Sequence, residues 1–425
     1  MEIVIIYLGK GYTDNICIGC IEDYMFERLL FIYGEARLIH DTNGNSYIDS
    51  IFDSTFWSRY FCIAKTVSIC FRDNNERIPS ESVEKKWRII DCKHITTYSL
   101  FESTDSLHAF LSPRRKMLST ITLKSAISES DGVIIRLPSM AGKQAINVCK
   151  KNHKPYLVEV VGDAYASLHY HSSYGKLLAP IEYLRMRFQI KYAKYVLYVS
   201  ENFLQNRYPT NGISIGCPDV NIEKIDSNII YKRIEKISEQ KDTYILGLIG
   251  SLDVNYRGHK ILLQVIKKLH DEGISCKARF LGPGDPKRWE IYSRKLNINE
   301  RVEFCGVLPA GPAVLSWIDD VDILVMPTKV ESLGRAVIEA MSRGCPVIGT
   351  KTTALNEHLN DKCLFMPDDI DTLKKMIKKM IINKDYMKKC AYENYSNAYK
   401  YLNSVTDKVR MSFFKIFEEE RKTSK

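Results

Sequence analysis

Residues 326–350 read MPTKVESLGRAVIEAMSRGCPVIGT and contain the pattern of a strand, a loop, a helix and a second strand. The apolar run 323–326 ends at a proline, which is typical of a buried parallel strand, and residues 336–341 place apolar side chains at helical spacing. Gly344 lies just past this helix, and residues 346–349 begin the next strand. The stretch therefore predicts a βαβ unit and, with it, an α/β fold built on a doubly wound parallel sheet.

The loop of this unit predicts a seat for an anion beside two carboxylates. Ser332, Leu333 and Gly334 place free backbone N–H groups and the positive end of a helix dipole at the carboxyl edge of the sheet, where a diphosphate fits. Glu331 and Glu339 suit sugar hydroxyls, which donate hydrogen bonds to carboxylates. The predicted ligand is a diphosphate with sugars on both sides. In isolation, the same pair also fits a capped surface helix with solvated glutamates.

This stretch resembles the donor-site signature of glycosyltransferase family 4, a family of retaining sugar transferases with the GT-B fold. The matching positions are Pro327, Thr328, Glu331, Ser332, Leu333, Gly334, Glu339, Ala340, Met341, Gly344, Pro346, Val347 and Ile348. The resemblance implies two Rossmann-like domains that face a central cleft. It also implies that Glu331 contacts the transferred sugar, as a catalytic residue, and that Glu339 contacts the nucleotide ribose.

The bulk properties predict a globular protein of two or three domains in a reducing compartment. The chain has 425 residues, of which 45% are hydrophobic and 26% charged. Its 12 cysteines are scattered, which fits reduced thiols in a cytoplasm, and the pair Cys17 and Cys20 is interpreted as structural, with zinc or redox chemistry as the alternative. The start, MEIVIIYLGKG, is too short in its apolar run for a signal peptide, and no later run is long enough for a membrane span.

The net charge of +10, from 61 basic and 51 acidic residues, fits nucleic acid, an anionic membrane or small anionic ligands as partners. No nucleic-acid motif accompanies it, so nucleic acid is not a predicted partner. Residues 176–195 mix basic and apolar side chains and are a candidate for peripheral contact with the inner face of an anionic membrane. The alternative is a crossover helix that packs on a sheet and exposes a basic face.

The first half of the chain alternates strands with helical or turn-rich segments, which predicts a parallel, doubly wound sheet. The predicted strands are 3–8, 66–71, 132–137, 156–161 and 195–199. Gly9 and Gly11 follow the first of them, where GT-B enzymes commonly have a glycine-containing loop that faces the acceptor.

Residues 157–180, LVEVVGDAYASLHYHSSYGKLLAP, together with RLPS at 136–139, resemble family 4 enzymes that build bacterial capsular and other surface polysaccharides. Many members place a histidine near the end of this strand, close to the transferred sugar. A glycine followed by Asp163 stands there in this chain, so Asp163 is predicted to lie in the catalytic region, with His169 and His171 as alternatives. The competing interpretation of Asp163 is a helix-capping or turn residue at a strand exit.

The second half predicts another doubly wound sheet. Residues 221–242 are polar with little apolar periodicity, so the domain junction is expected near 205–240. The predicted strands are 244–249, 277–281, 302–304, 323–326, 346–348 and 364–366, and the helices between them are 261–272, 288–295, 311–318, 335–343 and 371–383. The predicted divisions are an acceptor-side domain 1–205, a junction 206–242, a donor domain 243–395 and a final helix 396–425 that returns toward the first domain.

A second candidate site opens the donor domain, in LGLIGSLDVNYRGHKILLQVI at 246–266. A strand ends at Gly250, and Arg257 and Lys260 lie where a helix begins, so two cations and a helix N-terminus converge on one place. The segment resembles the family 4 phosphate clamp, in which an arginine commonly follows the strand glycine. Ser251 occupies that position here, so one cation is lost and Lys260 is expected to compensate.

Two further segments resemble donor-contacting parts of the family. FLGPGD supplies Gly282 and Gly284 near the donor, and RVEFCGVLP supplies Phe304 near the base. The resemblance also implies retention of anomeric configuration, no cofactor and no required metal, with a nucleotide diphosphate-sugar as donor. A lipid-linked oligosaccharide is the expected acceptor. A non-catalytic nucleotide-sugar-binding protein and a nucleotide-sugar epimerase of the same fold are the alternative functions.

Overall fold

The computed structural model of the protein describes residues 24–49, 52–79, 87–90, 94–101, 112–170, 173–351 and 353–423. The strands are β1 (Phe26–Asp41), β2 (Ser46–Asp49), β3 (Ala64–Ile78), β4 (Trp87–Ile89), β5 (Ile95–Leu100), β6 (Gly132–Leu137), β7 (Tyr156–Val160), β8 (Tyr195–Tyr198), β9 (Ile213–Gly216), β10 (Tyr244–Ile249), β11 (Cys276–Leu281), β12 (Val302–Phe304), β13 (Ile323–Met326), β14 (Val347–Thr350) and β15 (Leu364–Phe365). The α-helices are α1 (Ser54–Phe61), α2 (Pro113–Ser128), α3 (Met140–Lys151), α4 (Ala164–His169), α5 (Ser173–Lys191), α6 (Phe203–Arg207), α7 (Ile229–Ser238), α8 (His259–Asp271), α9 (Lys287–Lys295), α10 (Pro312–Asp320), α11 (Arg335–Ser342), α12 (Ile370–Ile382), α13 (Lys384–Ala398) and α14 (Asn403–Thr423). Short 3₁₀ helices are Asn299–Arg301, Ala354–Glu357, Asp361–Cys363 and Tyr399–Tyr401. Within the described ranges, none of the helices has the length and apolarity needed to cross a membrane.

The strands from β1 to β9 form one sheet, in which the path β5-β3-β1-β6-β7-β8-β9 is parallel throughout. Two antiparallel additions, β2 on β1 and β4 on β2, extend this sheet beyond the parallel path. The central strand β6 is buried along its whole length, as expected where helices cover both faces of a parallel sheet. The strand order changes direction between β1 and β6, so a crevice forms at the carboxyl ends of these two strands.

The second sheet has the order β12-β11-β10-β13-β14-β15, and every neighbouring pair in it is parallel. Here the strand order changes direction between β10 and β13. Ligands of open α/β sheets bind in the crevice at such a point, outside the carboxyl ends of the strands. The loops that begin at Gly250 and Pro327 leave the sheet at this place, so the topology brings the two predicted donor segments together.

The prediction of two doubly wound α/β sheets is confirmed, and the predicted strands 132–137, 244–249, 302–304 and 323–326 coincide with observed strands. The predicted strand 3–8, with Gly9, Gly11, Cys17 and Cys20, lies outside the described residues. In the described part of the chain, the strand that pairs with both β3 and β6 is β1, which the sequence analysis missed. Its sequence, FERLLFIYGEARLIHD, interrupts the apolar run with charges at both ends.

The description of residues 221–242 as a polar stretch without apolar periodicity is wrong. They contain helix α7, in which Ile229, Ile230 and Ile237 are buried, and these residues belong to the core that includes the second sheet. The buried guanidinium of Arg233 donates hydrogen bonds to the carbonyls of Val321 at 2.6 Å and Ile318 at 3.0 Å. The isoleucines escaped notice because lysine, glutamate and arginine separate them. The exact domain bounds stay a prediction.

The last helix, α14, packs against the first sheet. Phe413, Phe414 and Phe417 are buried in the core that this sheet forms with α1. The ring of Phe417 lies 5.7 Å from that of Phe26 in β1 and 5.5 Å from that of Tyr195 in β8, measured between centroids. The chain therefore passes from the first sheet to the second and then returns to the first.

Candidate active site

The loop between β13 and α11 is held in place by its surroundings. The backbone N–H of Ala354 donates to the carbonyl of Glu331 at 3.2 Å, and Nε2 of His358 donates to the carbonyl of Leu333. Burial lowers the pKa of His358 to about 4, so its ring is neutral at physiological pH. Gly334 adopts a left-handed conformation with φ of 87°, which glycine reaches without strain. The loop is therefore preorganised before any ligand arrives.

Both oxygens of the Glu331 carboxylate are engaged. One oxygen accepts hydrogen bonds from the backbone N–H groups of Ser332 at 3.2 Å and Gly334 at 3.1 Å, and the other accepts from Nη1 of Arg257 at 2.7 Å. The expectation that these two N–H groups are free is therefore wrong, because Glu331 uses them. At the start of α11, the N–H groups of Val337 and Ile338 donate to the carbonyl of Gly334 at 2.9 and 3.1 Å. Within the described residues, the backbone donors left for an anion there are the N–H groups of Arg335 and Ala336.

The loop between β10 and α8, residues 250–258, is called the clamp loop. It contacts the loop of Glu331 directly. The side-chain carbons of Arg257 lie against Gly250, where an added Cβ would be 3.1 Å from them. Gly258 has φ of 85°, and a Cβ there would collide with the carbonyl oxygen of Pro327. The N–H of Lys329 donates to the carbonyl of Tyr256 at 2.8 Å. These contacts fix the guanidinium of Arg257 beside the carboxylate of Glu331.

Arg257 remains a cation in this place. Burial alone would lower its pKa, but the carboxylate of Glu331 outweighs that effect and raises the pKa above its ordinary value. The guanidinium also lies 5.4 Å from the centroid of the Tyr256 ring. The site therefore contains a positive charge that is half-buried and already oriented.

Two predicted members of the clamp have other contacts. The hydroxyl of Ser251 accepts a hydrogen bond from the N–H of Asp253 at 3.3 Å, so this residue shapes the turn. Lys260 is exposed, and its ammonium lies 5.8 Å from the centroid of the Tyr292 ring in α9. Its expected role as a compensating phosphate ligand stays a prediction.

Arg288, at the start of α9, is a cation that the sequence analysis missed. Its guanidinium donates to the carbonyl of Leu252 and, at 3.1 Å, to the side-chain oxygen of Asn255. It also lies 4.3 Å from the centroid of the Trp289 ring. Burial lowers its pKa, and Asp253 opposes that effect. Arg288 follows the glycine-rich FLGPGD segment, and this proximity in sequence was the available signal.

The other predicted donor segments support the same crevice. The N–H of Gly282 donates to the carbonyl of Gly306 at 2.7 Å, which joins the segment after β11 to the segment after β12. Gly284 lies against the carboxylate of Asp253, where an added Cβ would be 2.6 Å from an oxygen. Phe304 stacks on Phe280 with 5.3 Å between ring centroids. Their contacts with a nucleotide stay a prediction.

Glu339 and Arg335 lie one turn apart on α11, next to the loop of Glu331. Burial raises the pKa of Glu339, and the positive charge of Arg335 opposes that rise. The positive charge of Arg335 also adds to the lowering of the pKa of Asp219, and it opposes the burial that raises the pKa of Tyr33. Both of these residues belong to the first half of the chain, so the start of α11 lies near the first sheet.

Asp163 is a buried structural residue in this arrangement. Its Oδ1 accepts from the N–H of Tyr165 at 3.0 Å and from the hydroxyl of Tyr208, and its Oδ2 pairs with Nε of Arg207 at 2.6 Å. The aspartate thus caps the N-terminus of α4, as the competing interpretation proposed. Because both of its oxygens are occupied, the geometry favours the capping role over a catalytic one.

Asp163→Asn tests this assignment. The amide retains the capping oxygen but loses the charge that pairs with Arg207, so we expect the free energy of unfolding to fall by about 2 kcal/mol. Turnover measured well below the unfolding temperature should stay within about threefold of wild type, since a factor of three corresponds to less than 1 kcal/mol of barrier. Urea titration and steady-state kinetics measure the two quantities. A large loss of kcat without loss of stability would contradict the capping assignment.

His169, the alternative histidine, belongs to a row of aromatic rings that reaches the clamp. Its ring stacks on Tyr165 at 5.1 Å and lies edge-on to Tyr170 at 4.8 Å, and Tyr170 lies 5.6 Å from Tyr256 in the clamp loop. Among the residues that the structure describes, Nδ1 of His169 is buried and has no hydrogen-bond partner. His171 lies outside the described residues. Through Tyr170, His169 is therefore connected to the loop that carries Arg257.

Glu357 links the two sheets by a direct polar contact. Its carboxylate, which follows β14, accepts hydrogen bonds from the backbone N–H groups of Glu201 at 2.7 Å, Asn202 at 3.0 Å and Phe203. These groups open helix α6, which follows β8 of the first sheet. A carboxylate from one sheet thus caps a helix of the other sheet.

Glu357→Gln is expected to weaken the contact between the sheets. An amide has one oxygen and no charge, so we expect the free energy of unfolding to fall by about 1.5 kcal/mol, in the range for hydrogen bonds to charged groups. Small-angle scattering should also show a larger radius of gyration. The control is Glu393→Gln, which removes a pair with Lys362 inside the second half of the chain. Equal radii for the two variants would contradict a linking role.

A buried ion network lies at the carboxyl end of β6. Arg136 donates from Nε to Glu159 at 2.8 Å and from Nη2 to Asp219 at 2.8 Å, and Arg59 also pairs with Asp219. The hydroxyl of Tyr60 donates to Glu159 at 3.0 Å. Burial alone would raise the pKa of Asp219, but the surrounding guanidinium groups, of which Arg136 and Arg59 have the largest effect, together hold that pKa well below its ordinary value. The network fixes the crevice of the first sheet.

Comparisons with known proteins agree with this architecture. Residues 243–383 match the family model described as glycosyl transferases group 1. Protein CapJ of Staphylococcus aureus is 32% identical over 375 residues, which cover 85% of this chain and 90% of CapJ. Sucrose-phosphate synthase of Thermosynechococcus elongatus aligns with a TM-score of 0.65 at 14% identity, over 92% of this chain and 98% of that one. HepE of Anabaena, solved in complex with UDP-glucose, aligns with a TM-score of 0.61 at 13% identity, over 91% of this chain and 99% of that one.

The structural alignments extend over nine-tenths of the chain, so they concern both sheets and establish the GT-B fold. The similarity to CapJ extends over 85% of the chain, and the family model matches the part of the chain that carries Arg257, Glu331 and Glu339. From the fold, the full-length relative and the family pattern together, the chain belongs to the group 1 glycosyl transferases of the family 4 type and is a transferase enzyme.

Proposed function

We propose that the enzyme transfers a sugar from a nucleotide diphosphate-sugar to a hydroxyl of a lipid-linked oligosaccharide during the synthesis of a surface polysaccharide. In this proposal the anomeric configuration is retained and no metal is required. The observation that carries it is the pair of Arg257 and Glu331, 2.7 Å apart, at the switch point of the second sheet and beside the start of α11. The positive charge and the helix N-terminus there suit the diphosphate of a nucleotide-sugar, and the carboxylate suits the hydroxyls of its sugar.

The diphosphate belongs beside Arg257 and the first turn of α11. Arg257 keeps its charge because Glu331 raises its pKa, and the N–H groups that open α11 supply further donors to an anion. HepE, which shares the fold, was solved with UDP-glucose, and this supports a uridine nucleotide as the first donor to examine. The hydroxyls of the nucleotide ribose would then face Glu339, whose raised pKa reflects its burial.

Glu331 would exchange partners when the donor binds. A sugar hydroxyl donates a hydrogen bond to a carboxylate oxygen, so it can replace the backbone N–H groups of Ser332 and Gly334 at the same oxygen. Those N–H groups become available to the diphosphate at the same moment. Binding of the donor thus frees backbone N–H groups that Glu331 occupies when no donor is bound.

The chemical step breaks the bond between the anomeric carbon and the diphosphate oxygen and forms a bond from that carbon to the acceptor oxygen. With retention, the acceptor hydroxyl approaches on the face from which the diphosphate leaves, so a phosphate oxygen lies close enough to take its proton. Negative charge grows on the leaving group, and Arg257 and the start of α11 stabilise it more strongly as it grows. The enzyme's contribution is therefore mainly electrostatic.

One observation favours a second candidate function, a protein that binds a nucleotide-sugar without transferring the sugar. Ser251 stands where the family commonly has an arginine, and its hydroxyl shapes a turn in the described structure. A clamp with one cation fewer stabilises the leaving diphosphate less. Donor binding with no release of nucleoside diphosphate would be the mark of such a protein.

The test measures release of nucleoside diphosphate from a panel of nucleotide-sugars, beginning with UDP-sugars, with and without a bacterial membrane lipid extract. We expect one donor to give release that needs the extract, persists in EDTA and disappears in Glu331→Ala. The matched control is Glu300→Gln, at an exposed position away from the crevice, which should retain full activity. NMR of the product gives the anomeric configuration. Binding without release favours the sensor, and interconversion of sugars without an acceptor favours an epimerase.

A further inference from the structure

Helix α5 has a second apolar face that lies on the protein surface. Ala179, Met186 and Ile190 are fully buried, on the side of the helix that faces the protein interior. On the same helix, Leu177, Ile181, Leu184 and Phe188 are 78%, 46%, 63% and 63% exposed, and Tyr192, just past the helix, is 52% exposed. At about 100° per residue, the four exposed side chains of the helix fall within an arc of about 60° on the side opposite the buried ones.

The exposed charges that flank this apolar stripe all have the same sign. Lys176, Arg185, Arg187 and Lys191 are exposed on the two sides of the stripe. The helix has a single carboxylate, Glu182, which is 2% exposed and pairs with Lys143 of α3 and with Arg185. The surface of α5 is therefore apolar along its centre and cationic along its edges.

We propose that this face of α5 docks on a membrane surface that carries anionic lipids. An apolar stripe about 16 Å long, from Leu177 to Phe188, suits the boundary between headgroups and acyl chains, and the cations suit the lipid phosphates. A second copy of this chain fits less well, because each copy would bring four cations against the same four cations of the other. The charge on both edges thus selects an anionic partner.

The position of the helix ties this docking to the proposed function, on which this step rests. Tyr170, three residues before α5, lies 5.6 Å from Tyr256, which is next to Arg257 in the clamp loop. The N-terminal end of α5 therefore comes within a few residues of a ring contact with the loop that carries Arg257. An acceptor with its lipid in the bilayer could reach the crevice with its sugar end while α5 rests on the same bilayer.

The exposed part of α2 extends the surface. Met117 and Ile121 are 58% and 57% exposed on that helix, and Arg114 and Lys124 are exposed near them. α2 joins α3 through a hydrogen bond between the side chains of Thr120 and Gln144 at 3.0 Å. In turn, α3 accepts a hydrogen bond from Gln189 of α5 at 3.2 Å. The three helices lie side by side, so the docking face can include α2.

The experiment measures co-sedimentation of the full chain with vesicles of phosphatidylcholine alone and of phosphatidylcholine mixed with phosphatidylglycerol. We expect binding to the mixed vesicles only, with a strong decrease in high salt. The double variant Leu184→Asn with Phe188→Asn should lose at least about tenfold in partitioning. Arg185→Gln with Lys191→Gln should lose about fivefold for each cation.

The controls are substitutions of the same kind elsewhere on the surface. Ile291→Asn with Ile382→Asn replaces apolar side chains that are 51% and 67% exposed, and Lys389→Gln with Lys408→Gln removes two exposed cations. Both controls should bind vesicles like wild type. Wild-type protein that fails to bind mixed vesicles overturns the proposal, as does a dimer that becomes monomeric in the Leu184 and Phe188 variant.

Donor binding and vesicle binding are separate readouts. The α5 variants should bind nucleotide-sugar with wild-type affinity, because the substitutions lie outside the crevice. Vesicle binding with no turnover of any donor would refute the proposed function and leave the docking face in place. Turnover without any binding to anionic vesicles would refute the docking face alone.

Discussion

Glu331→Gln is expected to lower kcat for sugar transfer by about 10³-fold. In wild type, the Glu331 carboxylate accepts from Arg257 at 2.7 Å and from two backbone N–H groups of its own loop. The amide keeps the size of the side chain but offers Arg257 no charge and offers a sugar hydroxyl only one oxygen. Steady-state release of nucleoside diphosphate, with the donor that the panel identifies, measures the loss.

The same variant should bind free nucleoside diphosphate at least as tightly as wild type. Arg257 loses its internal partner and is then available to the phosphates, so the affinity and kcat should change in opposite directions. Isothermal titration calorimetry measures the affinity, and Glu300→Gln again serves as the control. A parallel loss of affinity and kcat would indicate that Glu331 only maintains the loop. Activity within tenfold of wild type would remove Glu331 from the catalytic site.

Arg136→Met is expected to lower the free energy of unfolding by about 3–5 kcal/mol. The substitution leaves the carboxylate of Glu159, which is 2% exposed, without its guanidinium partner, and it removes one of the two direct ion pairs of Asp219, the other being with Arg59. The methionine fills part of the space among the aromatic rings, where the guanidinium now lies 4.8 Å from the centroid of Phe56. Urea titration at neutral pH measures the change. Arg28→Met is the control, because its pair with Glu129 is exposed and should cost under about 1 kcal/mol.

The network also predicts how stability depends on pH. The pKa of Asp219 is lowered in the folded protein, so its contribution is present above the unfolded pKa, about 4, and is lost as the pH falls below it. Wild-type stability should therefore begin to fall at about pH 5 and keep falling below about pH 3, toward the much lower folded pKa. In Arg136→Met the pKa of Asp219 is lowered less, so the decrease should level off at a higher pH and its total size should be smaller. A decrease that continues to the same low pH in both proteins would show that Arg136 does not set the pKa.

The strands of the second sheet could be predicted from the sequence because they are short apolar runs bounded by glycine and proline. The run 323–326, before Pro327, is the clearest case. β1 shows the opposite situation, because Glu27, Arg28 and Glu35 lie within a strand of 16 residues whose first half is central to the sheet. Its neighbours bury the apolar residues and leave Glu27, Arg28 and Glu35 exposed. The sequence of β1 by itself does not indicate that β3 and β6 will lie beside it.

The sequence predicted which residues belong to the candidate site, but it did not predict which side chains they contact. Family resemblance identified Glu331 and Arg257, which are 74 residues apart, but only the sheet order brings them together. For Asp163, the deciding partners are Arg207 and Tyr208, more than 40 residues later, and neither belongs to a pattern that marks a capping site. Arg288 was missed for the same reason. In each case the role of the residue depends on which distant side chain or carbonyl the fold brings next to it.

Because α14 returns to the first sheet, the part of the chain that is synthesised first is also the part whose core is completed last. β1 and β8 leave the ribosome early, but the aromatic side chains that cover them, Phe413, Phe414 and Phe417, are made last. Until then, the rings of Phe26 and Tyr195 lack their cover, and exposed apolar surface of this kind promotes aggregation. A chain that ends before residue 413 would thus leave the first-made half of the enzyme unfinished, although every residue of its sheet is present.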